Sequence, residues 1–195
     1  MITLRPVEPG DSEKLFRWRN LPEIAKNMHT DHEISQEEHD AWFASAITNK
    51  TRKYWIIKRN DIDIGLVNIY DISPENGRCY WAIYIGEMVE RGVGTGAFVE
   101  VLLLDHVFLD LGFHKLCCEV LTDNERGVRQ HVKYGFVVEG VLREHIFKDN
   151  RYFDVSCLGL LRQEWLDRRF AIIKKLVDRG HSYLARPSDL EALRS

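Results

Sequence analysis

Long apolar runs are missing from this 195-residue chain, since none reaches the 18 or more residues of a membrane-spanning helix. An excess of one charge is missing too. Lys and Arg number 27 against 30 Asp and Glu, a net of −3, so no global positive field draws the chain onto nucleic acid or an anionic membrane. The opening MITLRPVEPGD lacks the basic-then-apolar order of a secretory leader, and the chain reads as cytoplasmic. Cysteine is sparse: Cys79, Cys117, Cys118 and Cys157 form no C-x-x-C and no Cys/His pair at zinc spacing, so no metal is expected. Adjacent Cys117 and Cys118 lie in the apolar run KLCCEVL and read as reduced, buried small hydrophobes. Internal repeats and low-complexity segments are absent. What is present is a 45% hydrophobic composition, enough for one sizeable core. At roughly 150 residues per domain, the chain divides into a domain over residues 1–165 and a helical extension over 166–195.

Residues 2–8 alternate like a strand, and Pro9-Gly10-Asp11-Ser12 then offers a turn and a cap for a short helix through Leu15, Phe16 and Trp18. Ser35-Gln36-Glu37-Glu38 has the form of a capping box ahead of a helix with Trp42, Phe43 and Ile47. Three β-rich segments, Tyr54–Ile57, Ile62–Ile69 and Cys79–Ile85, are separated by turn residues and predict an antiparallel meander. An almost wholly apolar helix to Gly112 follows, then a strand over Lys115–Leu121 and a helix from Asn124 to Tyr134. Strands near Phe136–Val141 and Tyr152–Leu161 flank a Lys148-Asp149-Asn150 turn, an amphipathic helix runs to Gly180, and Pro187 can open one more. The class is α+β.

Between the meander and the apolar helix stands Arg91-Gly92-Val93-Gly94-Thr95-Gly96. Glycines at alternate positions opening a helix can turn several backbone N–H groups towards one anion, and a diphosphate would fit. A Walker loop would end in GK[ST], and Thr95-Gly96-Ala97 does not; a dinucleotide fingerprint would read G-x-G-x-x-G in an early βαβ unit. A tight turn with no ligand is the remaining reading of the glycines alone.

Arg91, Gly94 and Gly96 fit the [RQ]-x-x-G-x-[GA] loop of the GNAT family of acetyl-CoA-dependent N-acetyltransferases, and Asn124 with Lys133-Tyr134-Gly135-Phe136 fits its later Asn and Gly-Phe. The chain resembles that family over residues 2–165. The resemblance implies a bent, mostly antiparallel sheet splayed between strands ending near Ile85 and Leu121, with acetyl-CoA in the gap. Its pyrophosphate would lie on the backbone N–H groups of Gly92, Val93, Gly94, Thr95, Gly96 and Ala97, beside Arg91 and Asn124. A neutral amine would attack the thioester directly in a ternary complex, so a base, an oxyanion donor and an acid for the leaving thiolate are required. The oxyanion donor would be a backbone N–H near Ile85. Glu119 and Tyr84 are candidate bases. Many members use a Tyr as acid five residues before the Phe of Gly-Phe; here that position is His131, and Tyr134 is the substitute.

The run Trp18-Arg19-Asn20, Pro22, Ile24, Met28, followed by Ile34-Ser35, Glu37-Glu38-His39 and Trp42-Phe43, resembles enzymes of the PseH type, which acetylate the 4-amino group of a UDP-linked 4-amino-4,6-dideoxy sugar in pseudaminic acid biosynthesis. Arg19, Asn20, Met28, His29 and His39 are the acceptor-site residues this implies, Arg19 as a planar fork for the diphosphate. The later Glu139–Glu144 segment, Asp154 and Leu160–Trp165 resemble the RimJ/RimL ribosomal-protein acetyltransferases, which keeps a protein or peptide amine open as acceptor. For the tail, docking on its own domain and a homodimer contact are both open.

Overall fold

Seven strands form one sheet in the order β1-β2-β3-β4-β5-β7-β6. They are β1 Ile2–Pro6, β2 Lys53–Arg59, β3 Ile62–Ser73, β4 Arg78–Ile85, β5 Lys115–Leu121, β6 Val137–Lys148 and β7 Arg151–Leu161. The computed structural model describes residues 1–87 and 94–193. Turn chemistry sets the hairpins: Asn60-Asp61 and Asp149-Asn150 each place two positive-φ residues between paired strands, the two-residue geometry that matches strand twist. β4 and β5 run parallel, joined by helix α4 (Thr95–Asp105), and the remaining pairs are antiparallel.

The apolar residues of α4 follow from its position. Val99, Val101, Leu103 and Leu104 are fully buried between the sheet and the C-terminal helix α6 (Arg162–Asp178), whose Trp165 and Ile173 join the same core. α4 continues as one π-helical turn, His106–Asp110, and stops before Gly112 at φ +69. Side chains alternate along β5: Leu116, Cys118 and Val120 enter the main core, while Leu121 joins a separate small cluster on the opposite face. Helices α1 (Ser12–Arg19), α2 (Pro22–Ala25) and α3 (Gln36–Ala46) gather a second core around Leu15, Trp18, Phe43 and Leu66. Ser35 caps α3, its hydroxyl accepting from the Glu38 N–H at 3.2 Å.

Two elements differ from the sequence reading. Pro22 stands at N1 of the extra short helix α2, where its missing N–H costs nothing. β6 is twice the length expected, because β7 supplies a pairing partner all the way to Lys148↔Arg151, across two bulges. The four cysteines are free thiols, as expected, with Cys79, Cys117 and Cys118 buried. Among the described residues no helix is long and apolar enough to cross a membrane.

Candidate active site

The parallel pairing of β4 with β5 covers only Arg78–Tyr80 against Lys115–Cys117, whereas β4 runs on to Ile85 and β5 to Leu121. Beyond Tyr80 and Cys117 the two strands part, and the sheet opens between Trp81–Ile85 and Cys118–Leu121. This is the splay that the resemblance implies.

At the head of α4, Gly94 is the N-cap, at φ +88. That backbone suits glycine. The Ala97 N–H returns to the Gly94 carbonyl at 3.0 Å, which leaves the first-turn N–H groups of Thr95 and Gly96 pointing outward from the helix end. A Cβ built at Gly94 or Gly96 would meet nothing within 4 Å among the described residues, so these two positions face open space. Thr95 itself is buried, and its hydroxyl accepts from Arg59 at 3.4 Å. These residues fit a bound diphosphate. Arg91, Gly92 and Val93 lie outside the described residues. Asn124 is the N-cap of helix α5 (Glu125–Tyr134), its carbonyl oxygen accepting from the Gly127 N–H at 3.1 Å.

His131 and Tyr134, both on α5, point into the main core rather than along the Asn124 end. The His131 ring lies edge-on to Trp81, with centroids 5.1 Å apart, and 5.5 Å from Phe136. Its Nδ1 meets the Oε1 of Glu100 at 2.9 Å, and Gln130 donates to the same carboxylate at 3.2 Å. Trp81 stands where β4 leaves β5, so His131 sits over the root of the splay. Burial pushes the Tyr134 phenol up, and the Glu100 charge adds to the shift. Sequence reasoning missed Glu100, although an acid inside AFVEVLLLD was a visible anomaly.

On the opposite face, Tyr84 lies beside Arg19. Burial raises the phenol well above its ordinary value, against the pull of the Arg19 charge, and keeps Tyr84 protonated. Glu119 is half-buried and registers with Cys157 of β7. Arg19 bonds the Thr30 hydroxyl and forms no ion pair among the described residues; burial lowers its pKa, with Tyr84 and Glu38 opposing. His29 is lowered by desolvation first; Glu119 opposes that, and His145, Lys148 and Arg19 add to it. Lys148, at the end of β6, is buried and donates to the carbonyls of Ala25 and Met28 at 2.6 and 3.0 Å. His145 and Lys148 thus join Arg19 and His29 at one place, which no local pattern foretold because they come from the far end of the sheet.

Asn20 and His39 have local partners instead. Asn20 holds Ile34 by two bonds, to its N–H at 2.9 Å and its carbonyl at 3.0 Å. His39 is 2% exposed, packs between Phe16 and Phe43, and meets the Ser12 hydroxyl at 3.0 Å. Met28 packs on the second core, where Trp18 is sealed against Gly86 and bonds Glu87 at 2.8 Å.

The family described as acetyltransferase (GNAT) domain matches residues 1–137. An uncharacterized N-acetyltransferase, YokL, of Bacillus subtilis is 27% identical over 84% of this chain and 92% of its own length. Acetyltransferase PseH of Campylobacter jejuni is 26% identical over 71% of this chain and 86% of its own. Spermidine N-acetyltransferase of Vibrio cholerae, solved with CoA and spermine, superposes with a TM-score of 0.79 at 26% identity, over 85% of this chain and 98% of that one. The open loop at Gly94 and Gly96, the parting of β4 from β5 and a match across most of the chain agree: this protein belongs to the GNAT family and is an acetyl-CoA-dependent N-acetyltransferase.

Proposed function

We propose that the acceptor is the 4-amino group of a UDP-linked 4-amino-4,6-dideoxy sugar, as the PseH-type resemblance implies. The observation that carries this reading is the basic lining of the acceptor side. Arg19 is partly buried with no carboxylate partner among the described residues, and His29, His145 and Lys148 are near enough to act on one another's charge. The Glu38 charge offsets only part of the cost of burying the Arg19 guanidinium, and a diphosphate relieves the rest through paired N–H donors. In this reading Arg19 and His29 hold the nucleotide diphosphate, and Met28 lies against its base.

Glu119 takes the amine proton through water, because the carboxylate faces the opened sheet beside His29. A backbone N–H near Ile85 receives the developing oxyanion. His131 protonates the leaving sulfur, being the titratable side chain at the root of the splay, and Tyr134 behind it is the substitute. The N–H groups from Gly92 to Ala97, with Arg91 and Asn124, hold the pyrophosphate of acetyl-CoA.

A second reading, a polyamine acceptor, is favoured by the likeness to the spermidine enzyme. A multiply charged cation needs an acidic lining, and here the carboxylates of Glu119, Glu38 and Asp31 alternate with Arg19 and Lys148, so the lining is mixed rather than acidic. Thiol release from acetyl-CoA with UDP-4-amino sugars, spermidine and short peptides tests the two readings. The sugars should give a kcat/KM at least about 100-fold above the others, the scale on which unpaired buried polar groups reject a wrong substrate. Equal or better turnover of spermidine or peptide would overturn the assignment.

A further inference from the structure

We infer that Glu100 is a positioning residue for the release of CoA, acting through His131. The inference rests on the proposed reading in which His131 is the acid. Glu100 is 1% exposed on a helix whose neighbours Val99, Val101, Leu103 and Leu104 are fully buried. A carboxylate in such surroundings is destabilising unless partnered, and an apolar side chain would fill the place without that cost. Its partners are the His131 Nδ1 at 2.9 Å and the Gln130 amide at 3.2 Å. The carboxylate therefore accepts the Nδ1–H hydrogen bond and leaves Nε2 as the ring's working end. Trp81 and Phe136 set the ring plane. The ring is not sealed: a tenth of the His131 side chain is exposed.

Around this pair, β5 brings the Cys118 thiol and α5 the Tyr134 phenol, both held in the neutral form by burial, and β4 contributes the uncharged Trp81. The Nδ1–Glu100 bond fixes the ring, and its Nε2–H is the proton that can be given away. In the step, the acceptor nitrogen forms its bond to the acetyl carbonyl carbon and the C–S bond breaks. The sulfur leaves with the electron pair and takes the Nε2 proton, giving the CoA thiol. The amine's surplus proton leaves through water, and the neutral imidazole regains one from solvent before the next turnover.

Four variants test this: Glu100→Gln, Glu100→Asp, His131→Ala and the double variant Glu100→Gln/His131→Ala. Glu100→Gln keeps the shape and removes the charge, so kcat should fall roughly 10- to 100-fold with both KM values within about two-fold. Glu100→Asp, which disturbs packing but keeps the charge, should retain kcat within about five-fold. In the His131→Ala background, adding Glu100→Gln should change kcat less than about two-fold, because one route has already been cut. An undiminished kcat in Glu100→Gln, an equal loss in Glu100→Asp, or a full further loss in the double variant would each overturn the inference. A wild-type kcat in His131→Ala would instead remove the acid reading itself, which separates the two failures.

Discussion

Gly94 and Gly96 differ in what a side chain would do there, and the difference decides which one reports on the ligand. Gly94 holds φ +88, so any L side chain there adds backbone strain, and a loss of binding would be ambiguous. Gly96 lies inside α4, its Cβ direction opens onto space, and β-branched residues are tolerated in a helix at a cost below about 1 kcal/mol. Gly96→Val should therefore leave the melting temperature within a few degrees while lowering acetyl-CoA affinity at least about ten-fold, since the isopropyl group fills space a diphosphate needs. Calorimetric titration beside a thermal melt checks it; wild-type affinity would mean that the loop is only a turn. The same contrast between partnered and open groups separates the acceptor residues. Asn20 and His39 spend their polar atoms on Ile34 and Ser12, whereas Arg19 has only a hydroxyl.

At the scale of elements, Lys148 ties the end of β6 to α2. Its ammonium lies 2.6 Å from the Ala25 carbonyl, which also accepts from the Met28 N–H at 3.0 Å, and 3.0 Å from the Met28 carbonyl just beyond the helix. Lys148→Met keeps the apolar stem and removes the ammonium from both carbonyls, which should cost about 1–3 kcal/mol in urea unfolding. It should also raise the KM for the acceptor and leave that for acetyl-CoA unchanged, because α2 leads into Met28 and His29. A uniform change in both KM values would show that the strap serves stability alone. This element also marks where sequence stops being informative. The meander, the apolar α4 and the amphipathic α5 were legible because each is set by local periodicity and by turn residues such as Asn60-Asp61 and Gly135. Lys148, His145 and Glu100 were not, because their roles arise from contacts 31 to 123 residues apart along the chain. In a regular α-helix the seven-residue spacing from Asn124 to His131 would put both on one face. Asn124, however, is the N-cap at φ −82 and ψ 58, outside the helical backbone, so the angular argument did not apply to it.

For the whole molecule, the C-terminal segment is held to the sheet by one buried ion cluster. Arg169 of α6 donates from Nε and Nη2 to Asp105 of α4, each at 2.7 Å, and from Nη2 to Asp189 of helix α7 (Pro187–Ala192) at 2.7 Å; Trp165 adds a bond to Asp105 at 3.0 Å. All three ionic residues are less than a tenth exposed, and Leu184 between α6 and α7 enters the main core. His181 in the same stretch lies 4.5 Å from Phe98, ring to ring, one turn from the glycine loop. Removing the shared cation takes the nearest charge from both carboxylates and leaves Asp105 to Arg186 at 3.5 Å, whereas removing Asp189 leaves Arg169 paired with Asp105. Arg169→Ala should accordingly cost about 3–5 kcal/mol, and Asp189→Ala clearly less, by urea unfolding. The pH dependence follows from Asp189. Its hydrogen bond from Arg169 holds its pKa below the ordinary carboxylate value when folded, so the unfolded chain binds more protons as the solution is acidified. The stabilisation is complete above about pH 4 and is lost as pH falls through the folded value. Wild type should thus lose stability on acidification below that point more steeply than Asp189→Ala, and the two unfolding curves should converge at low pH. If instead they stay parallel down to pH 2, Asp189 contributes no charge-dependent stability and the docking of the tail rests on Leu184, Trp165 and Ile173.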